Sequence, residues 1–567
     1  MPDRPLRETV RRYRTPGENG AVVVEPAWAE VGALVETNQD RRSLTDRYDC
    51  QGKRLGDLVR LAREELLHEA RQWTASYHDL PSPLEKSFPA AHSNGDASER
   101  RSDIGKIFLA GHQPQLFHPG VWLKNFALDR LARSFQAVAV NLIVDHDAPH
   151  TVEVRTPIGS LKELGWTNIP LDGPLPGVPY EDRPIVDWRI FEAFGRRALE
   201  AIRPLVPAPM LEHFWPVVLE RARATGRLGA AIAQARGLWE SRWGNRTLEV
   251  PFSRLCQGEA FLWFAAHLVA QLPRFNEHYN IILAEYRQIH RIRNPAQPVP
   301  DLRAEDGWLE APLWIWTQQT PVRRALYVRQ TGREAILSDQ SGFEVRLAIR
   351  PDGDLGQAVS MFQELAERGV RIRPKAILTT LWARLALGDL FIHGVGGARY
   401  DQITDEVIRR FMGLEPPQFL VLSGTLHLPI DRPPVSQEKW LSVQRQLREL
   451  AWNPERFLNC RDNAAQAAET ESVPCDDRET LVAEKWRWIR TLATPENART
   501  RFLAIRRINQ ALQPWVSKVR SDLLAEQVVL QRRLQAEKIL QWRDWPFCFY
   551  PENVLQDFFS TALRGAG

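Results

Sequence analysis

Cysteine is scarce in this chain, and a long apolar run is missing. Among 567 residues there are five cysteines, Cys50, Cys256, Cys460, Cys475 and Cys548, with no CxxC pair and an odd total. That usage predicts reduced thiols in a cytoplasmic protein and no disulfide framework. The longest apolar stretch, AFLWFAAHLVAQL at 260–272, falls short of the ~20 residues that cross a bilayer. The N-terminal MPDRPLRETVRRYRTPG has no apolar segment of the signal-peptide kind, so the expected location is the cytoplasm. A charge excess is missing as well: 74 Lys plus Arg face 70 Asp plus Glu, a net +4. So small a net charge argues against nucleic acid or an anionic membrane as partner of the molecule as a whole, and any basic recognition has to be local. HExxH, GxxxxGK[ST] and GxGxxG are also absent, as are internal repeats and extended low-complexity tracts.

What remains is ordinary globular material, 44% hydrophobic and 25% charged. At roughly 150 residues per domain it predicts three or four folding units. Residues 1–105 hold one clear helix, LGDLVRLAREELLHEARQW, and end in the polar AAHSNGDASERRSD, an expected boundary loop. Residues 106–184 read as strand (KIFLAG), loop, helix (VWLKNFALDRLARSF) and strand (AVAVNLIV). This is a βαβ unit of a parallel sheet, with its loops at the carboxyl ends of the strands where open α/β folds take ligands. Residues 185–370 form a connecting insertion, helical to about 295 and β-rich from 308 to 350. Residues 371–430 return to the sheet through KAILTT and LFIHG, both read as buried strands. Residues 431–567, after Pro433 and Pro434, read as helix. Trp440, Val443, Leu447 and Leu450 space by three and four, as do Phe502, Ile505, Ile508, Leu512, Val516, Val519 and Leu523. Such stripes need a partner, an antiparallel neighbour or a second subunit, and Pro514 should kink the longer one.

Three loops carry candidate chemistry. The first, GHQPQLFHPGVWLKNFAL at 111–128, leads into a helix starting near Gly120, whose free N–H groups would seat a phosphate or carboxylate. His112 and His118 offer donors or proton transfer, Gln113 reads an amide or base edge, and Lys124 reaches a phosphate. The second, VDHDAPHTVEV, brings Asp145, His146, Asp147 and His150 to the same sheet edge. There they either orient a substrate amine and accept its proton or gather Zn²⁺ or Mn²⁺. The third, FIHGVGGARYDQITDEVIRRF, sets His393, Gly394, Gly396, Gly397, Arg399, Tyr400 and Asp401 between strand and helix, with glycines that let amides face a ligand or simply allow tight packing. Upstream, Arg371, Arg373 and Lys375 form a local basic group, an anion site or a solvated strand entrance.

These segments resemble the cysteine ligases of bacillithiol biosynthesis, the bacillithiol synthase family. The first loop is similar to their TGQQ-x-GLF-x-GPLYT-x-x-K segment, LIVDHDAPHTVEV to their WIA-x-EDHDF-x-E, and IRPKAILTTLWARLALGDLFIHGVGGARYDQ to their RPN-x-x-x-RPL and GG-x-GE-x-x-Y blocks, in the same order. The resemblance implies a Rossmann-like, nucleotidyltransferase-like core with helical insertions, followed by a C-terminal coiled-coil domain that makes a homodimer. It also implies ligation of cysteine, or a similar amino acid, to an amine of a small amino-sugar substrate, with ATP or ADP as cofactor and no assigned metal. Gly111, Gln113, Phe117, Gly120 and Lys124 match the first motif, Asp145, His146 and Asp147 the second, and Arg373, Pro374, Gly394, Gly397 and Tyr400 the third. His112 stands where the family has glutamine, His118 is additional, Trp122 replaces the tyrosine region, and GGAR lacks the family's acid. A divergent relative acting on another amine or thiol is the resulting expectation. In it His112, His118, Asp145, His146 and Asp147 are catalytic, and Gly111, Gln113, Phe117, Gly120, Lys124, Arg373, His393, Gly394, Gly396, Gly397 and Tyr400 bind substrate or nucleotide. A metal-dependent hydrolase built on the His/Asp cluster, or a nucleotide-binding dimer without chemistry, are the alternatives.

Overall fold

The computed structural model describes residues 11–79, 104–161, 163–332, 334–431, 435–458 and 475–566. The boundary loop at 90–103, Pro433, Pro434 and Cys460 lie outside them. The chain divides into two units, one of residues 1–156, 168–429 and 543–567, the other of 157–167 and 430–542. It is a mixed α/β protein.

Among the described residues there are fourteen strands: β1 (Val22–Glu25), β2 (Ile107–His112), β3 (Val138–Ile143), β4 (Glu153–Ser160), β5 (Glu163–Pro170), β6 (Leu248–Pro251), β7 (Ala304–Glu305), β8 (Trp308–Thr317), β9 (Arg324–Gln330), β10 (Ala335–Ser338), β11 (Glu344–Leu347), β12 (Val370–Pro374), β13 (Leu390–His393) and β14 (Leu420–Gly424). The central sheet runs β1-β14-β13-β2-β3-β6. Its last five strands are parallel and β1 is an antiparallel edge. β2 and β3 are apolar almost throughout because both faces are covered. Ile107, Leu109, Val138, Val140 and Leu142 enter the main core with the helices Leu55–Ala75 and Glu259–Ala270. Phe108, on the alternate face of β2, meets Phe135, which follows the helix Pro119–Ser134.

The expected β2, helix, β3 unit is present. Two differences follow from local chemistry. Residues 376–380 of the expected strand KAILTT form the start of a helix, Ala376–Trp382, which carries no charged residue and is mostly buried, so that it shows little polar contrast. Conversely, β6 lies inside the helical stretch, a four-residue edge strand too short to interrupt a helical pattern. Arg371 and Arg373 sit on β12, which pairs with β8 in a second, antiparallel sheet ordered β11-β10-β9-β8-β12. Cys50, Cys256 and Cys548 are buried free thiols.

In the second unit the helix Gln437–Trp452 packs along Ser517–Leu540, with Val443, Leu450, Val516, Leu523 and Leu530 as its buried seam. Lys439 pairs with Glu526 while Gln513 reaches the carbonyl of Leu450, so the two helices run antiparallel. The stripe therefore finds its neighbour within the chain. Pro514 lies in a 3₁₀ turn, Gln513–Val516, which separates the helix Ala498–Leu512 from Ser517–Leu540 instead of kinking one long helix. Phe502, counted in the stripe, is 51% exposed. Residues 543–567, read as the end of the helical tail, belong to the first unit. No helix among the described residues is long and apolar enough to cross a membrane.

Candidate functional site

From β2 the chain passes to β3 and then β6 on one side, and later to β13 and β14 on the other. The order reverses between β2 and β13, and a crevice opens at the carboxyl ends of strands at such a reversal. Register brings the loops together there: His112 is level with Ile143, and Ile392, just before His393, with Ala110. A cavity of about 810 Å³ lies at this edge, within the usual range for small-molecule sites. Gly111, His112, Gln113, His118, Gly120 and Lys124 line it from the first loop, and His146, Asp147 and His150 from the second. His393, Gly394, Gly396, Gly397 and Tyr400 line it from the third. All three candidate loops thus open onto one space.

Their roles differ from the expectation at several points. The helix after the first loop has no free N–H left at its start: His118 caps it, its Nδ1 accepting from Gly120 N at 3.1 Å, and the His118 carbonyl takes the N–H groups of Val121 and Trp122. Gly120 is there for packing, since a Cβ would lie 1.9 Å from the Gly424 carbonyl oxygen. The uncapped helix start is instead at the third loop. Gly394 precedes the helix Val395–Val407 with no side-chain cap, and a Cβ at Gly394 or Gly396 would meet open space, so the backbone is accessible. Gly397 serves packing, because a Cβ would come 2.8 Å from His393 Nδ1.

Lys124 is buried and donates to the Gly111 carbonyl at 3.1 Å. Burial, helped by nearby Arg236, lowers its pKa to about 8, so it is a cation at neutral pH. His112 donates from Nδ1 to the Gln113 carbonyl, and burial, with Lys124 beside it, lowers its pKa to about 3. His118 is held at about 3 by burial and Arg543. Both rings are neutral. His393 faces the buried Asp401, 2.8 Å from Nε2 to Oδ2. Burial raises the Asp401 pKa, but Arg384 and His393 outweigh that and hold it well below the carboxylate range.

His146 is the unusual group. Its Nε2 is 3.1 Å from Thr379 Oγ1, and that hydroxyl donates its hydrogen to the Lys375 carbonyl. The hydroxyl must then accept, which places the imidazole proton on Nε2 and leaves a lone pair on Nδ1. Nδ1 is buried and has no hydrogen-bond partner among the described residues. Burial lowers the pKa of the ring to about 3. A buried acceptor left unmatched costs on the order of 1–3 kcal/mol, so a donor from a ligand would recover energy there.

The two neighbouring carboxylates are occupied. Asp145 is outside the cavity lining and takes both the N–H and the hydroxyl of Ser253. Burial raises its pKa to about 7. Asp147 accepts from Gln113 Nε2, Arg323 and its neighbour Ala148 N; burial pushes its pKa up, but Arg323 and Gln113 prevail and hold it down. It fixes loops rather than standing free as a base. His150 is exposed at the rim. Arg373 is also committed, its guanidinium forked onto the Glu181 carboxylate and donating to the Ile372 carbonyl. Lys375 pairs with Glu310. Phe117 lies in an aromatic cluster with His112 and Phe547. Among the described residues no group of three or more His, Cys, Asp or Glu side chains is arranged to hold a metal.

Arg323, Thr379, Ser423 and Arg543 line the cavity without having been singled out. Arg323 comes from the β8–β9 connection, and Arg543 donates to Ser423 Oγ at 3.0 Å. Neither arginine belongs to a repeating pattern, and only the fold brings them to this edge. Compared with known proteins, the chain matches no protein-family model and no curated protein sequence.

Proposed function

We propose that this cavity is the active site of a ligase-like enzyme on a Rossmann-like core. It joins the carboxylate of cysteine or a similar amino acid to an amine of a small, amino-sugar-like molecule, as in bacillithiol synthases. The observation that carries the reading is the unpaired Nδ1 of His146, a neutral buried acceptor on a residue lining a cavity that Lys124, Arg323 and Arg543 also line. A carboxylate is unreactive toward amines until it is activated, and an adenine nucleotide, ATP or ADP in its bound forms, supplies that activation when present. The open backbone at Gly394 and Gly396 together with Lys124 would hold its phosphates. Arg543 and Ser423 would take the carboxylate end of the amino acid. His146 Nδ1 would accept a hydrogen bond from the amine, aiming its lone pair at the carboxyl carbon. The activated oxygen would leave the carboxyl carbon with the C–O bonding electrons as the C–N bond forms, and the nitrogen, then that of a protonated amide, would be acidic enough for even an imidazole of lowered basicity to take its proton. The same reading takes the protein as cytoplasmic. It also makes the protein a homodimer through the helical unit, where Leu524, Val528 and Val529 remain exposed on Ser517–Leu540.

The test is a thermal-shift screen with ATP, ADP, cysteine and amino-sugar ligands, followed by turnover assays on the pairs that bind. Nucleotide is expected to raise the melting temperature in proportion to the logarithm of its concentration. If neither nucleotide nor amino acid shifts it, the ligase reading fails.

A further inference from the structure

The near-neutral total charge conceals a strong local imbalance. Residues 485–520 contain nine cations, Lys485, Arg487, Arg490, Arg499, Arg501, Arg506, Arg507, Lys518 and Arg520, against one acid, Glu496; the hairpin of residues 475–512 as a whole carries a net +3, because Asp476, Asp477, Glu479 and Glu484 gather at its start and leave a net +6 over residues 485–512. Two of the nine are used internally: Lys485 is buried with Glu455, and Arg501 donates to the carbonyls of Trp488 and Ile489, joining the helices Cys475–Arg490 and Ala498–Leu512 into a hairpin. Arg487, Arg490, Arg499, Arg506 and Arg507 are exposed and in no ion pair among the described residues.

Apolar side chains share these faces. Arg499, Phe502, Leu503, Arg506 and Arg507 recur at intervals of three, four, seven and eight, one stripe of the second helix, while Ile508 and Leu512 are buried on its other side. Phe502 and Leu503 are each 51% exposed. On the first helix Trp486, Arg487 and Arg490 bound an open depression of about 500 Å³. At the tip between the helices Leu492 is 82% exposed, the highest value among the exposed large hydrophobic residues.

We propose that this hairpin docks the protein on an anionic lipid surface. Leu492, Phe502, Leu503 and Trp486 enter the boundary between headgroups and acyl chains, and the five exposed arginines meet lipid phosphates. Exposed large apolar side chains set among arginines gain from burial at the headgroup boundary and from attraction to anionic lipid together. A second copy of the same face is excluded as partner by repulsion between two strongly positive patches. Nucleic acid would use the arginines and the aromatic rings but draws nothing from Leu492 or Leu503, which neither stack nor hydrogen-bond.

The test uses the full chain in sedimentation with vesicles of phosphatidylcholine alone or mixed with phosphatidylglycerol. Binding is expected only to the mixed vesicles, weakening as salt rises. R499Q/R506Q/R507Q should lower that affinity about a hundredfold. L492S/F502S/L503S should abolish it while the melting temperature holds. Should the first variant unfold, R487Q/R490Q reads the same charge effect on the other helix. Absence of binding to mixed vesicles overturns the proposal. So does binding of a single-stranded oligonucleotide that survives L492S/F502S/L503S and displaces the vesicles.

Discussion

At the scale of single residues the decisive group is His146, because its catalytic and structural values separate cleanly. Replacing the ring by phenylalanine keeps the apolar volume beside Phe252 and removes the unmatched nitrogen. H146F is expected to leave the melting temperature nearly unchanged, since deleting the unsatisfied Nδ1 acceptor offsets the loss of the Nε2 hydrogen bond to Thr379. On the proposed ligase reading, the joining reaction should fall by about 10²-fold or more. Equal loss of stability and activity in calorimetry and turnover would make His146 a packing residue. The glycines of the third loop form a second contrast. G397A drives a Cβ against the His393 ring and should cost about 1–3 kcal/mol. G396A meets open space and should gain up to about 1 kcal/mol from helix propensity. Only the latter should weaken an anionic ligand without unfolding the protein, a split that denaturation and binding titrations read independently.

Elements explain why His118 is where it is. As cap of Pro119–Ser134 it accepts from the Gly120 N–H, which requires an unprotonated Nδ1, and burial with Arg543 nearby keeps it so, at a pKa of about 3. The unfolded ring titrates near 6.5, so on acidification the unfolded state binds its proton first. This stabilisation is complete above about pH 6.5 and is lost as pH falls toward about 3. H118Q, which keeps an acceptor that does not titrate, should therefore lose less melting temperature than wild type between pH 7 and pH 5. The strand, loop, helix and strand of 106–144 were legible because their periods are clean and the loop residues are costly anywhere else. Ala376–Trp382 was misread because a short, mostly buried helix without charged residues shows little 3.6-residue contrast, and β6 was missed because four residues set no pattern. Likewise the capping by His118 could not be read, since imidazole is an unusual cap and the sequence suggested a free N-terminus.

On the scale of the whole molecule the cavity depends on two sheets meeting at one edge. Asp147, after β3, holds Gln113 from the β2 loop on one oxygen and Arg323 from the antiparallel sheet on the other. That convergence is why the three loops could be found in the sequence while Arg323 could not: the loops follow recognisable strands, whereas the arginine is one polar residue in a turn whose partner is 176 positions away. The Arg323–Asp147 pair is partly exposed, so screening trims its worth, and removing either side chain should cost about 1–2 kcal/mol. Because both act through one contact, R323A and D147A should not add. The double variant should lie within about 0.5 kcal/mol of the worse single one in urea denaturation. Each single variant should also weaken ligand binding, since the loop that carries His146 is released with Asp147. Additive losses would mean that the two sheets are held at the cavity by other contacts and that the pair merely decorates its wall.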